Sequence, residues 1–334
     1  MALAAELCKL DPDVDVQWVS YGTGAATLRE NGHEIVDLGL PDDNPFLEAH
    51  LRAAWSLARV RPHLVVSHEE FAALPAAKLF RIPTIFITDY FMDKTHIWMQ
   101  CLAYADEILF IDDRGFFDEP PHLREKIRYV GPIARNFAYS RGDRERARLE
   151  LAIPKDNMLL LVLPGNWSEE SAPIFELVAS AYVSLPYVGK SLVWIAGQDY
   201  GLLQQRLVGY LNVTVKDVDW QIDRWMAAAD LAITKGTRKT SLELASLGVP
   251  SISLSHGLNE IDDIRVSQIP TNMHLYVKDT DSSALSGHIR EILAAGSGHS
   301  APALKTTGLA AAAARLAEHI ADIRARHAAV TAHA

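Results

Sequence analysis

The sequence predicts an α/β protein built from two Rossmann-like doubly wound domains that face each other across a cleft. Three observations lead to this prediction. Short runs rich in Val, Ile and Leu alternate with helical patterns, which is typical of parallel sheets buried on both faces. The alternation pauses at Gly131-Pro132 and then starts again after a charged helix. The length of 334 residues suits two domains of ordinary size.

The first domain is predicted to span residues 1–135. Six short apolar runs are its predicted strands, at residues 14–20, 34–38, 64–67, 84–88, 107–111 and 127–130. The helical patterns between them lie at residues 2–9, 44–59, 72–80 and 97–105. Gly22-Thr23-Gly24 is a predicted turn that leads into a further short helix. Since a doubly wound domain normally begins with a strand, this domain is expected to lack its first strand. We therefore expect the natural protein to be longer by roughly 10–25 residues, enough for a strand and its turn.

The second domain is predicted to span residues 136–305. Its predicted strands lie at residues 158–163, 191–195, 213–215, 231–234 and 251–254. Predicted helices lie at residues 141–151, 172–183, 202–211 and 221–228. An Ala-rich helix then dominates the remaining tail, residues 306–334, which we expect to pack back on the first domain.

The stretch from Ala229 to Pro250 is the most informative part of the chain. It contains a strand, a polar loop, a helix predicted to open at Thr240 and Ser241, and a second strand. Ligands of open α/β sheets bind at such loops, and helix N-termini suit phosphate groups. Glu243, in the predicted first turn, could accept hydrogen bonds from two ribose hydroxyls. The alternative is that Thr240 and Ser241 cap the helix while Glu243 complements its dipole.

Composition excludes several classes of protein. The net charge of −10 argues against a general nucleic-acid binder, because phosphate neutralisation needs an excess of Lys and Arg. Two cysteines in a chain of this length predict no disulfide framework, and neither has a partner at metal-ligand spacing. No apolar run is long enough to cross a bilayer, and no signal peptide is evident. We therefore expect a cytoplasmic protein.

The order of elements and the stretch TKGTRKTSLELASLGVP resemble the MurG-like glycosyltransferases and the related monogalactosyldiacylglycerol synthases. These enzymes have the GT-B fold and bind a UDP-sugar in the C-terminal domain. The resemblance implies that Glu243 holds the ribose and that other residues of the second domain surround the donor. Those implied donor-binding residues are Gly165, Asn166, Trp167, Ser168, Gly197, Val218, Trp220, Lys235, Gly236, Thr237, Arg238, Lys239, Thr240, His256, Asn259 and Glu260.

The chain departs from the family pattern in three places. Thr237 stands where the family usually has glycine, and Pro164-Gly165-Asn166 has fewer glycines than the usual diphosphate loop. The Gly-Gly-His type loop that opens the family's acceptor domain is absent from this sequence. Any acceptor-binding or catalytic residue of that loop is therefore absent too.

The acceptor side offers three candidate catalytic residues. Glu69 follows a predicted strand and could reach an acceptor hydroxyl as a general base, although a solvated loop is the alternative. Asp89 and His96 could act as an orienting carboxylate and a base, unless His96 is a buried structural histidine. The aromatic segment from Phe80 to Trp98 is the membrane-facing side in lipid-acceptor relatives, although a core strand and helix is the favoured interpretation.

These inferences favour an inverting glycosyltransferase that moves a sugar from a UDP-sugar, of UDP-GlcNAc or UDP-hexose type, to a hydroxyl acceptor. The acceptor would be a small molecule or a lipid-linked sugar, and the protein could contact the inner membrane face peripherally. No metal or other cofactor is expected, because no paired-carboxylate metal motif lies near the diphosphate loop, and Asp217 and Asp219 are better placed near the base. A UDP-sugar hydrolase or epimerase, and a catalytically silent nucleotide-sugar-binding partner subunit, are the alternatives.

Overall fold

The computed structural model describes residues 1–91, 97–135, 137–139, 141–163, 172–197, 200–219, 221–255, 260–269, 274–278, 280–295, 304 and 306–332. The chain divides into two units. The first unit consists of Met1–Ile133 and Thr306–Ala334, and the second unit of Ala134–Lys305. The last helix of the sequence thus belongs to the same unit as the first.

The strands and helices follow one another in strict alternation over most of the chain. The strands are β1 (Trp18–Ser20), β2 (Ile35–Asp37), β3 (Val65–His68), β4 (Thr84–Thr88), β5 (Glu107–Phe110), β6 (Ile127–Tyr129), β7 (Met158–Val162), β8 (Lys190–Ile195), β9 (Val213–Lys216), β10 (Leu231–Thr234), β11 (Ser251–Leu254) and β12 (His274–Val277). The helices are α1 (Ala2–Leu10), α2 (Gly22–Glu30), α3 (Phe46–Val60), α4 (Ala73–Leu79), α5 (Ile97–Cys101), α6 (Arg144–Glu150), α7 (Ala172–Val183), α8 (Tyr200–Leu207), α9 (Ile222–Ala228), α10 (Arg238–Leu247), α11 (Glu260–Ser267), α12 (Ser282–Ala294) and α13 (Gly308–Ala332). None of the described helices is both long and apolar enough to span a bilayer.

The second unit contains one six-stranded parallel sheet in the order β12-β11-β10-β7-β8-β9. This is the strand order of a Rossmann domain, with β7 as its first strand. Successive residues of β7 point to opposite faces, so Leu160 packs with Phe175 and Trp194 while Leu161 packs on the other side with Trp225. Burial on both faces explains why these strands are continuous apolar runs.

The first unit contains two separate parallel sheets. Strands β1 and β2 pair with each other, and β3-β4-β5-β6 form the second sheet. A Rossmann order would place one further strand between β1 and β3. No strand of the described residues occupies that position, in agreement with the predicted lack of a first strand.

Helix α13 completes the core of the first unit. Ala312 and Leu316 of α13 pack with Leu7 of α1 and with the inner residues of β4 and β5. At the start of β5, the buried Glu107 accepts hydrogen bonds from Arg315 at 2.8 and 2.6 Å and lies 2.8 Å from Nε2 of His319. The last helix is therefore tied to the sheet by charge as well as by apolar packing.

The second unit has a comparable buried ion cluster. Asp230, immediately before β10, is bound by Arg144 and by Arg148, the latter at 2.6 Å, and accepts from the amide of Leu159 at 2.7 Å. Arg148 also donates to the carbonyl of Ala228 at 2.9 Å. These contacts fasten α6 to the amino ends of β7 and β10.

Two predicted helix starts are wrong. Helix α10 begins at Arg238 with Thr237 as its N-cap residue, so Thr240 and Ser241 lie inside the helix and Glu243 lies in its second turn. Ser241 instead donates to the carbonyl of Thr237 at 3.0 Å, a backbone bond that a helical serine can make to the preceding turn. Gly22-Thr23-Gly24 forms the start of α2 because the carboxylate of Asp42 accepts from the Thr23 amide there at 3.0 Å.

Candidate functional site

The candidate site of the second unit lies at the carboxyl ends of its strands. Strands β7 and β10 are neighbours in the middle of the sheet, where the strand order reverses, and this is the usual ligand position in a doubly wound sheet. The loop Lys235–Thr237 follows β10 at this point. Gly236 has a φ of +57°, a left-handed conformation that glycine adopts without strain.

A buried network of hydroxyl groups connects the elements on either side of this loop. Thr234 Oγ1 lies 2.9 Å from Ser253 Oγ, which in turn lies 3.0 Å from Ser241 Oγ. The network links β10, β11 and α10. Thr237 Oγ1 is also buried, and it has no hydrogen-bond partner among the described residues. An unpaired buried hydroxyl at a helix N-terminus is costly unless a ligand pairs with it, and phosphate oxygens bind readily at such a terminus.

Glu243 lies in the second turn of α10, and its side chain is only 5% exposed. Arg135 donates to both of its oxygens, from Nε at 2.6 Å and from Nη2 at 2.9 Å. Burial alone would lower the pKa of Arg135, but the hydrogen bonds and charge of Glu243 outweigh it and raise that pKa. Arg135 was not among the residues predicted from the sequence. The signal that could have pointed to it is its position four residues beyond Gly131, in the connection between the two units.

The cations around the loop occupy different environments. Arg238 is buried and donates to the carbonyl of Arg265, so it connects α10 to α11. Lys239 is exposed, whereas Lys235 and Thr240 are half-buried.

A cavity of about 470 Å³ lies beyond the carboxyl end of β9. Val218, one of the predicted base-contacting residues, lines it between two carboxylates that each accept a hydrogen bond. Asp217 accepts from the Val218 amide at 2.7 Å, and Asp219 accepts from Trp225 Nε1 at 2.6 Å. The other residues that line this cavity are Tyr200, Val215 and Lys216. Its size and its position beside the sheet suit a planar heterocycle.

Several predicted donor residues lie outside the described residues. These are Gly165, Asn166, Trp167, Ser168, Trp220, His256 and Asn259. Gly197 is described, has a φ of +62° and follows β8. Glu260 is described as the first residue of α11.

The first unit has its own cavity, of about 270 Å³, at the carboxyl ends of β1, β2 and β3. The predicted base Glu69 lines this cavity and has a φ of +58°, which is uncommon for a residue with a side chain. Asp89 is half-buried at the end of β4. Burial, followed by the charges of Glu69 and Asp89, raises the pKa of Tyr90 to about 12. Glu69 and Asp89 therefore share one neighbourhood, whereas His96 lies outside the described residues.

Comparison with known proteins gives one sequence relative and many similar structures. No protein-family model matches the chain. Over 114 residues it is 32% identical to the UDP-N-acetylglucosamine–N-acetylmuramyl-(pentapeptide) pyrophosphoryl-undecaprenol N-acetylglucosamine transferase of Acetivibrio thermocellus. The match spans 33% of this chain and 30% of that relative.

Solved structures match almost the whole chain at low identity. MurG of Acinetobacter baumannii is 14% identical with a TM-score of 0.55, covering 96% of this chain and 95% of that chain. The UDP-GlcNAc 2-epimerase of Methanocaldococcus jannaschii is 12% identical with a TM-score of 0.65, covering 96% of each chain. The calicheamicin glycosyltransferase CalG4 is 16% identical with a TM-score of 0.60, covering 97% of this chain and 94% of that chain.

These matches define the class of fold. The chain has the α/β GT-B fold with Rossmann-like units, which confirms the predicted fold class. The resemblance to MurG-like proteins is confirmed in the fold and in about a third of the sequence.

Proposed function

We propose that this protein is an inverting glycosyltransferase that binds a UDP-sugar in its second unit and transfers the sugar to a hydroxyl acceptor. The observation that supports this proposal best is the buried Glu243 on the helix that follows the β10 loop. A carboxylate in this position can accept hydrogen bonds from the two vicinal hydroxyls of a ribose.

Arg135 adds to this arrangement. Each carboxylate oxygen of Glu243 has two acceptor sites, so it can receive a ribose hydroxyl while it still receives an N–H from Arg135. The Arg135 side chain is 46% exposed, which leaves the rest of its guanidinium accessible to an incoming anion. We expect it to approach the diphosphate, because arginine binds phosphate in a planar, bidentate manner.

The proposed reaction is a direct displacement at the anomeric carbon. The acceptor oxygen forms a bond to that carbon as the bond to the diphosphate breaks, and UDP leaves with the electron pair. A base accepts the proton of the acceptor hydroxyl, and Glu69, Asp89 and His96 remain the candidates. The α10 N-terminus, Thr237 and Arg135 would stabilise the charge that develops on the leaving diphosphate.

Metal independence is part of the proposal. Helix amides and cationic side chains would stabilise the charge of the diphosphate in place of a metal ion. Asp217 and Asp219 lie near the cavity proposed for the uracil base, where each accepts a hydrogen bond. We expect full transfer activity in EDTA. Loss of activity in EDTA with recovery in magnesium or manganese would contradict this.

A UDP-sugar epimerase is the second candidate, because solved UDP-GlcNAc 2-epimerases share the fold over almost the whole chain. The two candidates differ in one observable. An epimerase changes UDP-GlcNAc in the absence of any acceptor, whereas a transferase consumes it at an appreciable rate only when an acceptor is present. Binding of UDP with neither reaction would favour a silent partner subunit.

The decisive experiment is a thermal-shift screen, since a ligand that binds the native state raises the melting temperature. UDP should stabilise the protein while ADP and GDP do so much less. Glu243→Gln should weaken UDP binding by about 1–3 kcal/mol, the usual loss when a charged hydrogen-bond partner is removed. Glu291→Gln, at an exposed glutamate of the same unit, is the matched control. Equal shifts with a purine diphosphate would refute the uridine assignment.

We propose peripheral membrane contact as the cellular setting. In the segment Phe80–Trp98, strand β4 is fully buried, in line with the favoured core interpretation, so we place the contact on another surface. Leu47, Leu51 and Trp55 form an exposed apolar stripe on α3, each about 60% exposed. Arg59 lies 4.5 Å from the ring of Trp55 and supplies positive charge beside the stripe. Apolar and basic residues together suit an anionic membrane surface. Sedimentation with phosphatidylglycerol vesicles should fall in Leu51→Glu and not in Glu48→Gln.

A further inference from the structure

The cavity of the first unit has an unusual chemical lining. Four of its eleven lining residues are acidic, and none of the described ones is Lys or Arg. The acidic residues come from two loops, one after β2 and one after β3, and they are Asp42, Asp43, Glu69 and Glu70. The charged groups among the described lining residues are therefore all negative, an arrangement that favours positive ligands.

Two of these carboxylates, Asp42 and Glu70, accept hydrogen bonds from neutral donors. Asp42 accepts from the amide of Thr23 at 3.0 Å and from its hydroxyl at 2.5 Å. Glu70 accepts from the Tyr21 hydroxyl at 2.5 Å and from the Ala72 amide at 3.0 Å. These bonds fix the positions of the carboxylates and leave their negative charge in place.

Tyr21 stays a donor in this arrangement. Burial, together with the hydrogen bond and charge of Glu70, raises the pKa of Tyr21 to about 12. Beside the cavity, His68 Nε2 lies 4.0 Å from Glu69 Oε1, at the limit of an ion pair.

Aromatic side chains complete the lining. Trp98 stacks on Phe71 with ring centroids 5.5 Å apart, and Phe46 and Tyr21 line the same cavity. Aromatic faces attract cations, and the attraction adds to that of nearby carboxylates. A cavity of this size at the carboxyl ends of parallel strands has the location and dimensions of a ligand site.

We propose that this cavity binds the positively charged ammonium group of the acceptor, so that the acceptor is an amine-bearing hydroxyl compound such as an amino sugar. The assignment of the ligand as the acceptor rests on the proposed transferase function, whereas the preference for a cation rests on the cavity alone. An acceptor with a phosphate or carboxylate at this position would be repelled by four carboxylates. A neutral sugar would gain hydrogen bonds here but no charge attraction.

The test compares two probes that differ in a single group. Methyl glucosaminide has an ammonium group at the position where methyl glucoside has a hydroxyl, and both are titrated calorimetrically into the full chain near neutral pH. The glucosaminide should bind at least about tenfold more tightly, a difference worth one hydrogen bond to a charged group. Added salt should reduce this preference, because charge attraction at an open cavity is screened.

A pair of matched variants locates the site. Asp43→Asn with Glu69→Gln removes two charges from the cavity while its volume is retained, and it should abolish most of the preference for the glucosaminide. Asp13→Asn with Asp15→Asn removes two charges from exposed positions of the same unit outside the cavity and should leave the preference unchanged. Thermal unfolding of each variant checks that the fold is retained.

Three results would overturn the inference. They are equal affinities for the two probes, a preference that survives the cavity variant, and no glucosaminide binding up to about 50 mM, which is weaker than millimolar recognition. The UDP thermal shift, measured in the same samples, reports on the second unit separately. A normal UDP shift without a preference for the glucosaminide refutes the cationic site alone, whereas a preference without a UDP shift refutes the proposed donor.

Discussion

The two units of this protein are built on the same plan, but among the described residues only the second unit has a continuous sheet. In the second unit, six parallel strands place the loops after β7 and β10 side by side at the middle of the sheet. In the first unit, the described residues form sheets of two and four strands, and the Tyr21–Glu70 hydrogen bond links the loops that follow β1 and β3. In the second unit, strand order alone brings together the loops of the proposed nucleotide site. In the first unit, the acidic cavity depends on side chains that join two separate sheets.

The largest expected difference between the two units concerns their buried carboxylates, Asp230 and Glu107. Asp230 in the second unit has two arginine partners, one of them nearly inaccessible, whereas the partner of Glu107 in the first unit, Arg315, is 37% exposed. Asp230→Ala should lower the free energy of unfolding by about 3–5 kcal/mol, because it leaves buried cations without an anion. Glu107→Ala should cost less, about 1–3 kcal/mol, since water can reach Arg315.

Urea unfolding measures the free energy of unfolding of each variant. Hydrogen exchange, resolved to each unit, then shows which unit has lost protection. The loss of protection should be concentrated in the second unit for Asp230→Ala and in the first unit for Glu107→Ala. If both substitutions reduced protection equally in both units, the two units would unfold as one cooperative body and the comparison would fail.

Arg135 provides a sharper test of the second unit alone. Arg135→Met keeps much of the side-chain length but removes the charge, and it should weaken UDP binding by about 1–3 kcal/mol. It should also lower the free energy of unfolding, because it leaves the buried carboxylate of Glu243 without its cation. Arg290→Met, at an exposed arginine of α12, is the control. An unchanged UDP affinity in a folded Arg135→Met protein would restrict this arginine to a structural role.

The smallest expected effect is a pH dependence confined to the first unit. Burial would raise the pKa of Glu107, but hydrogen bonds from Arg315 and His319 outweigh it and lower that pKa below its ordinary value of 4.5. A carboxyl group whose pKa is lower in the folded state contributes stability above its unfolded pKa, and the contribution is lost as the pH falls through the folded pKa. Acidification below pH 4.5 should therefore loosen α13, with faster proteolysis near Arg315, and Glu107→Gln should reduce this dependence. The same acid response in Glu107→Gln would assign it to other groups.

The sequence predicted the sheets better than the helix starts. Strands β4, β10 and β11 lie where the apolar runs place them, because a strand buried on both faces must be apolar throughout. Helix α10 starts two residues before Thr240, since serine and threonine side chains inside a helix can bond to the preceding turn as well as cap it. Helix α12 was not predicted, although Asp281 caps its N-terminus and Leu285 and Ile289 lie one turn apart on its buried face.

The candidate sites were predictable in part. Glu243 follows from a local pattern, a strand, a loop and a helix within a few residues. Its partner Arg135 is 108 residues away in sequence, so no local pattern connects the two. The acidic cavity combines residues from three loops, and the sequence predicted only Glu69 among its four carboxylates. Side chains that meet through the topology of a sheet are visible only once the sheet is assembled.

The order in which the chain is synthesised gives the α13 contact with Glu107 a further consequence. The second unit is one uninterrupted stretch, Ala134–Lys305, so a ribosome delivers all of it before residue 306 is made. The first unit begins to emerge earlier, but its core needs Ala312 and Leu316, which are translated after the second unit is complete. Domains generally fold as units during synthesis. The nascent chain must therefore hold an unfinished first unit with exposed apolar strands until the last helix arrives, which is the stage at which a chaperone would be needed most.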